Sequence, residues 1–105
     1  MAYSAYLAYL DENAKDDDNP LYIFEPRLGE KFPELLKDYD VPKYFQEDYM
    51  AYFASSDTFR PYYRWLLIGG HNSGFALHQD PCYTSAWNAL ILGRKRWVMR
   101  TQQCR

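Results

Sequence analysis

No stretch of this sequence comes near the roughly 18 consecutive apolar residues that a membrane-spanning helix needs. The first residues, "MAYSAYLAYLDEN", carry no basic leader and meet acids soon after their apolar positions, so no secretory signal peptide is expected. An excess of basic charge is missing too. A net charge of −2 leaves no electrostatic footprint for nucleic acid. Cysteine is scarce: Cys82 and Cys104 have no short metal-ligand spacing, which excludes a disulfide-dense secreted scaffold and points to a reducing compartment. There are no internal repeats and no low-complexity linkers. At 105 residues the chain is at most one small domain.

Aromatic side chains are what the sequence has in plenty, with eleven Tyr, six Phe and three Trp. Such rings fill cores and sheet faces, and they also build binding surfaces. In "SAYLAYLDENA", Tyr6, Leu7 and Leu10 fall at helical spacing, which predicts a short amphipathic helix. "KDDDNP" reads as a solvated turn ended by Pro20. Its aspartates lack the glycine turn and distal glutamate of a calcium loop. "PLYIFEP" reads as a strand bracketed by prolines, with Leu21 and Ile23 on one face and Tyr22 and Phe24 on the other. Pro33 suits the first position of a short helix in "FPELLKDYD". "VPKYFQEDYMAYFAS" then predicts an extended entry followed by a helix bearing Tyr49, Tyr52 and Phe53.

The second half changes character. "YYRWLLIGG", "SGFALHQD", "TSAWNALILG" and "KRWVMR" are strand-length apolar segments, separated by turn residues at "GHN", "PCY" and Gly93. The expected fold is mainly β with N-terminal helices, its sheet curling toward a barrel or sandwich.

In a strand, His78 and Asp80 point the same way while Gln79 points to the other face. An imidazole nitrogen and a carboxylate oxygen then approach one point, as two of the three ligands of a 2-His-1-carboxylate triad do. His71 lies in the "GGHNSG" loop at opposite parity and is expected to be a loop residue. Lys95 shares a face with Trp97 and Met99, Arg94 and Arg96 with Val98. If Trp97 and Met99 face a core, the Lys95 ammonium does too and needs an anion, for which a bound carboxylate is a candidate. The opposite assignment leaves Lys95 in solvent, and the pattern does not choose. Asn88 can donate to a carboxylate, or simply satisfy a neighbouring backbone group.

Taken together, "PLYIFEP", "VPKYFQEDY", "RPYYRWLLIG", "SGFALHQDP" and "TSAWNALILGRKRWVM" resemble the jumonji-C (JmjC) dioxygenases. The nearest branch is the one once called the phosphatidylserine receptor, described as lysyl hydroxylase and arginine demethylase. "HQDP" alone is unspecific, but followed in order by "TSAWNAL" and "GRKRW" it is highly specific. The resemblance runs from about Tyr6 to Met99. It implies a double-stranded β-helix of cupin type that binds Fe(II) and 2-oxoglutarate and hydroxylates or demethylates lysine or arginine side chains of a protein or peptide. By position it makes His78 and Asp80 metal ligands, and Lys95 the partner of the distal carboxylate of 2-oxoglutarate. Asn88 and Tyr22 become polar residues of the same pocket. It also implies nuclear residence, with a cytoplasmic one left open and no basic cluster of the usual import type in view.

Two departures stand out. Phe75 occupies the position where that branch usually carries a threonine donating to 2-oxoglutarate. After Met99, relatives continue with a Phe-Pro pair and a segment holding the third ligand histidine, whereas here "RTQQCR" follows. Residues 1–99 are therefore expected to be the N-terminal part of a JmjC/cupin-like domain, an incomplete double-stranded β-helix, and 100–105 a divergent truncated tail. Four strand-length segments are too few to close a barrel of about eight. The expectation is a chain inactive alone, with an unfinished sheet edge open to self-association. A non-catalytic cupin-like module that binds a protein partner is the alternative reading.

Overall fold

A single tyrosine near the N-terminus ties helix to sheet, because its hydroxyl reaches the residue that enters one strand and a residue within the other. The computed structural model describes residues 1–53 and 60–101. Helix α1 covers Tyr3–Glu12, as the apolar spacing predicts, and a short 3-10 turn, Ala14–Asp16, follows it. Its anchor is Tyr6, only 1% exposed, rather than Leu7, which faces solvent. Strand β1, Tyr22–Glu25, pairs antiparallel with β2, Leu66–Gly69, in the register Tyr22↔Gly69, Ile23↔Ile68, Phe24↔Leu67, Glu25↔Leu66. The Tyr6 hydroxyl lies 3.1 Å from the Leu21 carbonyl and 3.2 Å from the Ile68 carbonyl, so its one proton is shared between the two sides of the sheet. Tyr9 braces the same corner, since its hydroxyl donates to Asp17 (2.8 Å) and accepts from the Leu21 amide (2.9 Å).

Two glycines permit this packing. A Cβ on Gly70 would stand 2.7 Å from Leu10 of α1, and one on Gly69 would stand 2.5 Å from the Tyr22 ring. The triple aspartate is a turn, as predicted: Asp17 accepts from the Asn19 amide at 2.9 Å and from Tyr9. Both bonds hold its carboxyl below the usual range, the amide contributing more. A helical turn, α2 at Leu28–Lys31, buries Leu28 and runs into a 3-10 turn, Pro33–Lys37, with Pro33 at its start.

The helix predicted within "VPKYFQEDYMAYFAS" is two separate 3-10 turns, Lys43–Phe45 and Tyr49–Phe53; residues 54 and 55 of that segment lie outside the described residues. The physical reason is lack of a surface to pack on. Tyr44, Tyr49 and Tyr52 are all exposed, and a helix draws most of its stability from burying an apolar face.

The larger correction concerns the sheet. Of the four predicted strand segments only "YYRWLLIGG" supplies a strand, and β1–β2 is the only ladder among the described residues. "SGFALHQD", "TSAWNALILG" and "KRWVMR" run without regular pairing. A strand needs a neighbour to take its amides and carbonyls, and no ladder among the described residues provides one here. Ile91 and Leu92 are 91% and 90% exposed. Among the described residues only Tyr6, Ala14 and Leu28 are buried hydrophobic residues. The Cα radius of gyration is 16.3 Å, where a compact domain of this length has about 13 Å. The double-stranded β-helix is thus not formed by these residues.

Replacing Tyr6 with Phe keeps the ring and removes the shared donor, so stability in urea should drop by about 1–3 kcal/mol. Burial is also the main cause that raises the Tyr6 and Tyr22 phenols above their ordinary values. Their contribution is complete below about pH 10, the unfolded value, and is lost as pH rises through the higher folded values. Far-UV circular dichroism against pH should show alkaline unfolding, less steep in Tyr6→Phe.

Candidate functional site

Alternation along β1 sends Tyr22 and Phe24 to one side. Beyond β2 the chain turns through Gly70–Ser73, with the Ser73 amide (3.2 Å) and hydroxyl (2.8 Å) both donating to the Gly70 carbonyl and Asn72 at φ +58°. This turn is where "GHN" predicts one. It returns the chain so that Phe75 lands on the Tyr22/Phe24 side of β1. Its ring centroid is 5.0 Å from Tyr22 and 5.5 Å from Phe24, both edge-to-face, and Phe24 in turn meets Trp65 at 5.2 Å. Phe75 also meets the imidazole of His78 edge-to-face at 5.4 Å.

His78 Nδ1 lies 2.7 Å from the Ala76 carbonyl. A carbonyl oxygen only accepts, so Nδ1 is the donor in this contact. Nε2 faces Asp80 Oδ1 at 3.5 Å, with side chains 53% and 25% exposed. Two lone-pair donors facing each other do not stabilise one another while the imidazole is neutral; a cation between them, or a proton on Nε2, does. Adjacent ligands of a divalent ion with bonds of about 2.1 Å stand about 3 Å apart, so a small movement suffices. The pair fits two neighbouring positions of such an ion. No group of three or more His, Cys, Asp or Glu side chains able to hold one occurs among the described residues. His71 is exposed in the Gly70–Ser73 turn.

Past Asp80 the chain reverses at Pro81–Thr84. Thr84 donates to the Pro81 carbonyl through its amide (3.2 Å) and hydroxyl (2.9 Å), and Cys82 and Tyr83 adopt φ +55° and +56°. Two successive positive φ angles are what a two-residue hairpin turn requires, at a cost of about 1–2 kcal/mol for each non-glycine residue. The predicted "PCY" turn is therefore present, with the hand of a hairpin but no ladder beyond it.

The structure brings Tyr22, Phe75, His78 and Asp80 into one neighbourhood. Among the described residues, no hydrogen bond, ion pair or ring contact joins Asn88 or Lys95 to them. Asn88 is exposed, next to Trp87, whose ring stacks on Phe45 (5.5 Å, 3° between planes) and meets Tyr39 at 6.4 Å. Lys95 is exposed too, with its ammonium 4.6 Å from the Trp97 ring centroid. The shared face of Lys95 and Trp97 is real, but it faces water. Sequence reasoning missed the organising part of Phe75, which alternation with Leu77 does not reveal because its partners on β1 are some fifty residues away.

No family profile and no solved structure matches this chain. Curated sequences do. It is 48% identical over 99 residues to the lysine-specific demethylase JMJ21 of Arabidopsis thaliana, covering 94% of this chain and 10% of that protein. It is 48% identical over 101 residues to the bifunctional arginine demethylase and lysyl-hydroxylase psr-1 of Caenorhabditis elegans, covering 94% of this chain and 24% of that one. A more distant relative, the 2-oxoglutarate and iron-dependent oxygenase JMJD4 of Gallus gallus, is 28% identical over 103 residues, covering 94% and 24%. The chain thus spans between a tenth and a quarter of the length of these relatives.

Gly69→Ala should push the Tyr22 ring off its place against Phe75. The expected result is a loss of about 1–3 kcal/mol in urea, together with loss of the Tyr22–Phe75 ring cross-peak by NMR.

Proposed function

We propose, because the chain belongs to the JmjC family of demethylases and hydroxylases, that it carries the first part of an Fe(II)- and 2-oxoglutarate-dependent site acting on lysine or arginine side chains of proteins. The single observation that carries this reading is the His78–Asp80 pair, with Nδ1 on the Ala76 carbonyl and Nε2 turned toward the carboxylate. JMJ21 and psr-1 are named for lysine and arginine chemistry, and JMJD4 for iron and 2-oxoglutarate.

In this proposal His78 Nε2 and Asp80 hold the metal. Iron(II) with 2-oxoglutarate supplies the oxidising power for C–H hydroxylation. Tyr22, Phe24 and Phe75 form an aromatic wall that limits water beside the two ligands. Asn88 and Lys95 enter the pocket once residues 84–99 pair as strands of a double-stranded β-helix. Lys95 then leaves Trp97 for the distal carboxylate of 2-oxoglutarate, a charge-assisted hydrogen bond. Nuclear residence is proposed on the family resemblance alone. No helix among the described residues is long and apolar enough to cross a membrane.

The 105 residues by themselves are proposed to be inactive, since His78 and Asp80 are two ligands where the chemistry takes three. One observation favours a second reading, a non-catalytic module: Asn88 and Lys95 are both exposed to solvent. The free outer edges of β1 and β2 would then offer pairing to a partner or a second copy.

A chimera decides between the readings. Residues 1–99 replace the matching stretch of psr-1, and 2-oxoglutarate turnover is measured with a lysine- or arginine-bearing peptide. Turnover is expected, and His78→Ala or Asp80→Ala should lower it by more than about 100-fold, since even an orienting partner of a ligand is worth 10–100-fold. Lys95→Ala should raise the KM for 2-oxoglutarate by about 10–100-fold, the equivalent of about 1.5–3 kcal/mol. A folded chimera whose turnover ignores His78→Ala would sink the oxygenase reading, and turnover by the isolated 105 residues would sink the claim that they are inactive.

A further inference from the structure

His78 and Asp80 lie in a segment, residues 74–80, that has no strand partner. Backbone pairing therefore does not hold them in place. The Ala76 carbonyl fixes which nitrogen of His78 bears the proton, but it belongs to the same segment and moves with it. What ties this segment to the sheet is Phe75. Its ring meets Tyr22 and Phe24 of β1 on one side and the His78 imidazole on the other, all edge-to-face, at 5.0, 5.5 and 5.4 Å. Phe24 is itself held by Trp65 on the approach to β2. A continuous file of rings thus runs from Trp65 through Phe24 and Phe75 to His78, with Tyr22 bracing Phe75 from the side. The imidazole is 53% exposed, so few other contacts restrain it.

We infer that Phe75 is a positioning residue: it holds the His78 ring with Nε2 toward Asp80 by fastening residues 75–80 to β1. The inference rests on the proposed metal-binding role of His78 and Asp80, and gives that site a support outside its two ligands. Sequence alone marks Phe75 only as a bulky residue with no donor. The geometry assigns it the packing task that a strand ladder performs elsewhere. Edge-to-face contact restrains the tilt of both rings, which an aliphatic side chain of similar volume does not do.

The test uses the 105-residue chain and the imidazole 15N–1H signals of its two histidines, with His71 as internal control. In the wild type, His78 should show the Nδ1–H tautomer and ring-current-shifted carbon-bound protons, both lost in urea. Phe75→Leu should move His78 toward a mixed tautomer and unshifted protons, leaving His71 untouched, and Phe75→Tyr should restore the wild-type pattern. Titration with Co(II) should show affinity lowered roughly tenfold in Phe75→Leu, at the low end of the loss caused by removing partners that orient metal ligands, and recovered in Phe75→Tyr. His78 signals and Co(II) affinity identical in wild type and Phe75→Leu would overturn the inference. If Phe75→Leu does not fold, absence of the ring-current shift in the wild type overturns it equally, and its presence with retention in Phe75→Tyr supports it. Wild-type chain that binds no Co(II), yet shows Phe75-dependent His78 signals, upholds the positioning role and rejects the metal site instead.

Discussion

The Tyr6 hydroxyl has one proton and two main-chain carbonyls to satisfy, Leu21 at 3.1 Å and Ile68 at 3.2 Å, from the two sides of the strand pair. A buried phenol has to place its polar tip, and this one does so where helix and sheet meet. The register of β1 against β2 follows from that junction, since it fixes the entry to β1 relative to the end of β2. The two glycines after Ile68 let α1 and Tyr22 close over the same corner. Among the described residues Tyr6, Ala14 and Leu28 then make up the buried apolar set.

The site depends on this corner at one remove. Register places Tyr22 over Gly69, and alternation places Phe24 on the same side. The turn after β2 brings Phe75 onto both rings, and Phe75 meets His78. An aromatic file thus carries the order of the sheet into a segment with no hydrogen-bonded neighbour. The imidazole then needs only a local carbonyl to set its tautomer. Two residues later, Asp80 brings its carboxylate to 3.5 Å. This proximity needs an extended backbone, which residue 80 has at φ −65°, ψ 152°, and not a strand ladder.

Legibility from sequence tracks the range of the interactions involved. Helix α1, the Asp17 turn, the Pro33 start, and the turns at Gly70 and Pro81 were readable because each is decided within a few residues. The strands at 22–25 and 66–69 were readable from composition, and found partners. The helix across 43–53 was misread because Tyr44, Tyr49 and Tyr52 stay exposed, and periodicity cannot say whether a face is covered. The strands expected in 74–99 failed for the matching reason. Val, Ile, Leu and Trp mark a segment suited to a sheet, but the hydrogen bonds that make it a strand come from elsewhere. Lys95 shows the same split. Its shared side with Trp97 followed from alternation, while which way that side faces depended on a sheet these residues do not build.

By itself, then, the sequence determined the local turns and helix, the pairing of His78 with Asp80 two residues apart, and the ordered set of motifs that marks the JmjC family. All of these are properties of neighbouring residues or of their order along the chain. Only the tertiary structure decided that Phe75 links β1 to His78, that Gly69 and Gly70 are spaces for Tyr22 and Leu10, and that Asn88 and Lys95 lie in solvent. Those facts join residues about fifty or more positions apart, or depend on which surfaces are covered. Packing and burial are set by the partners a residue meets in space, and a single sequence does not record them.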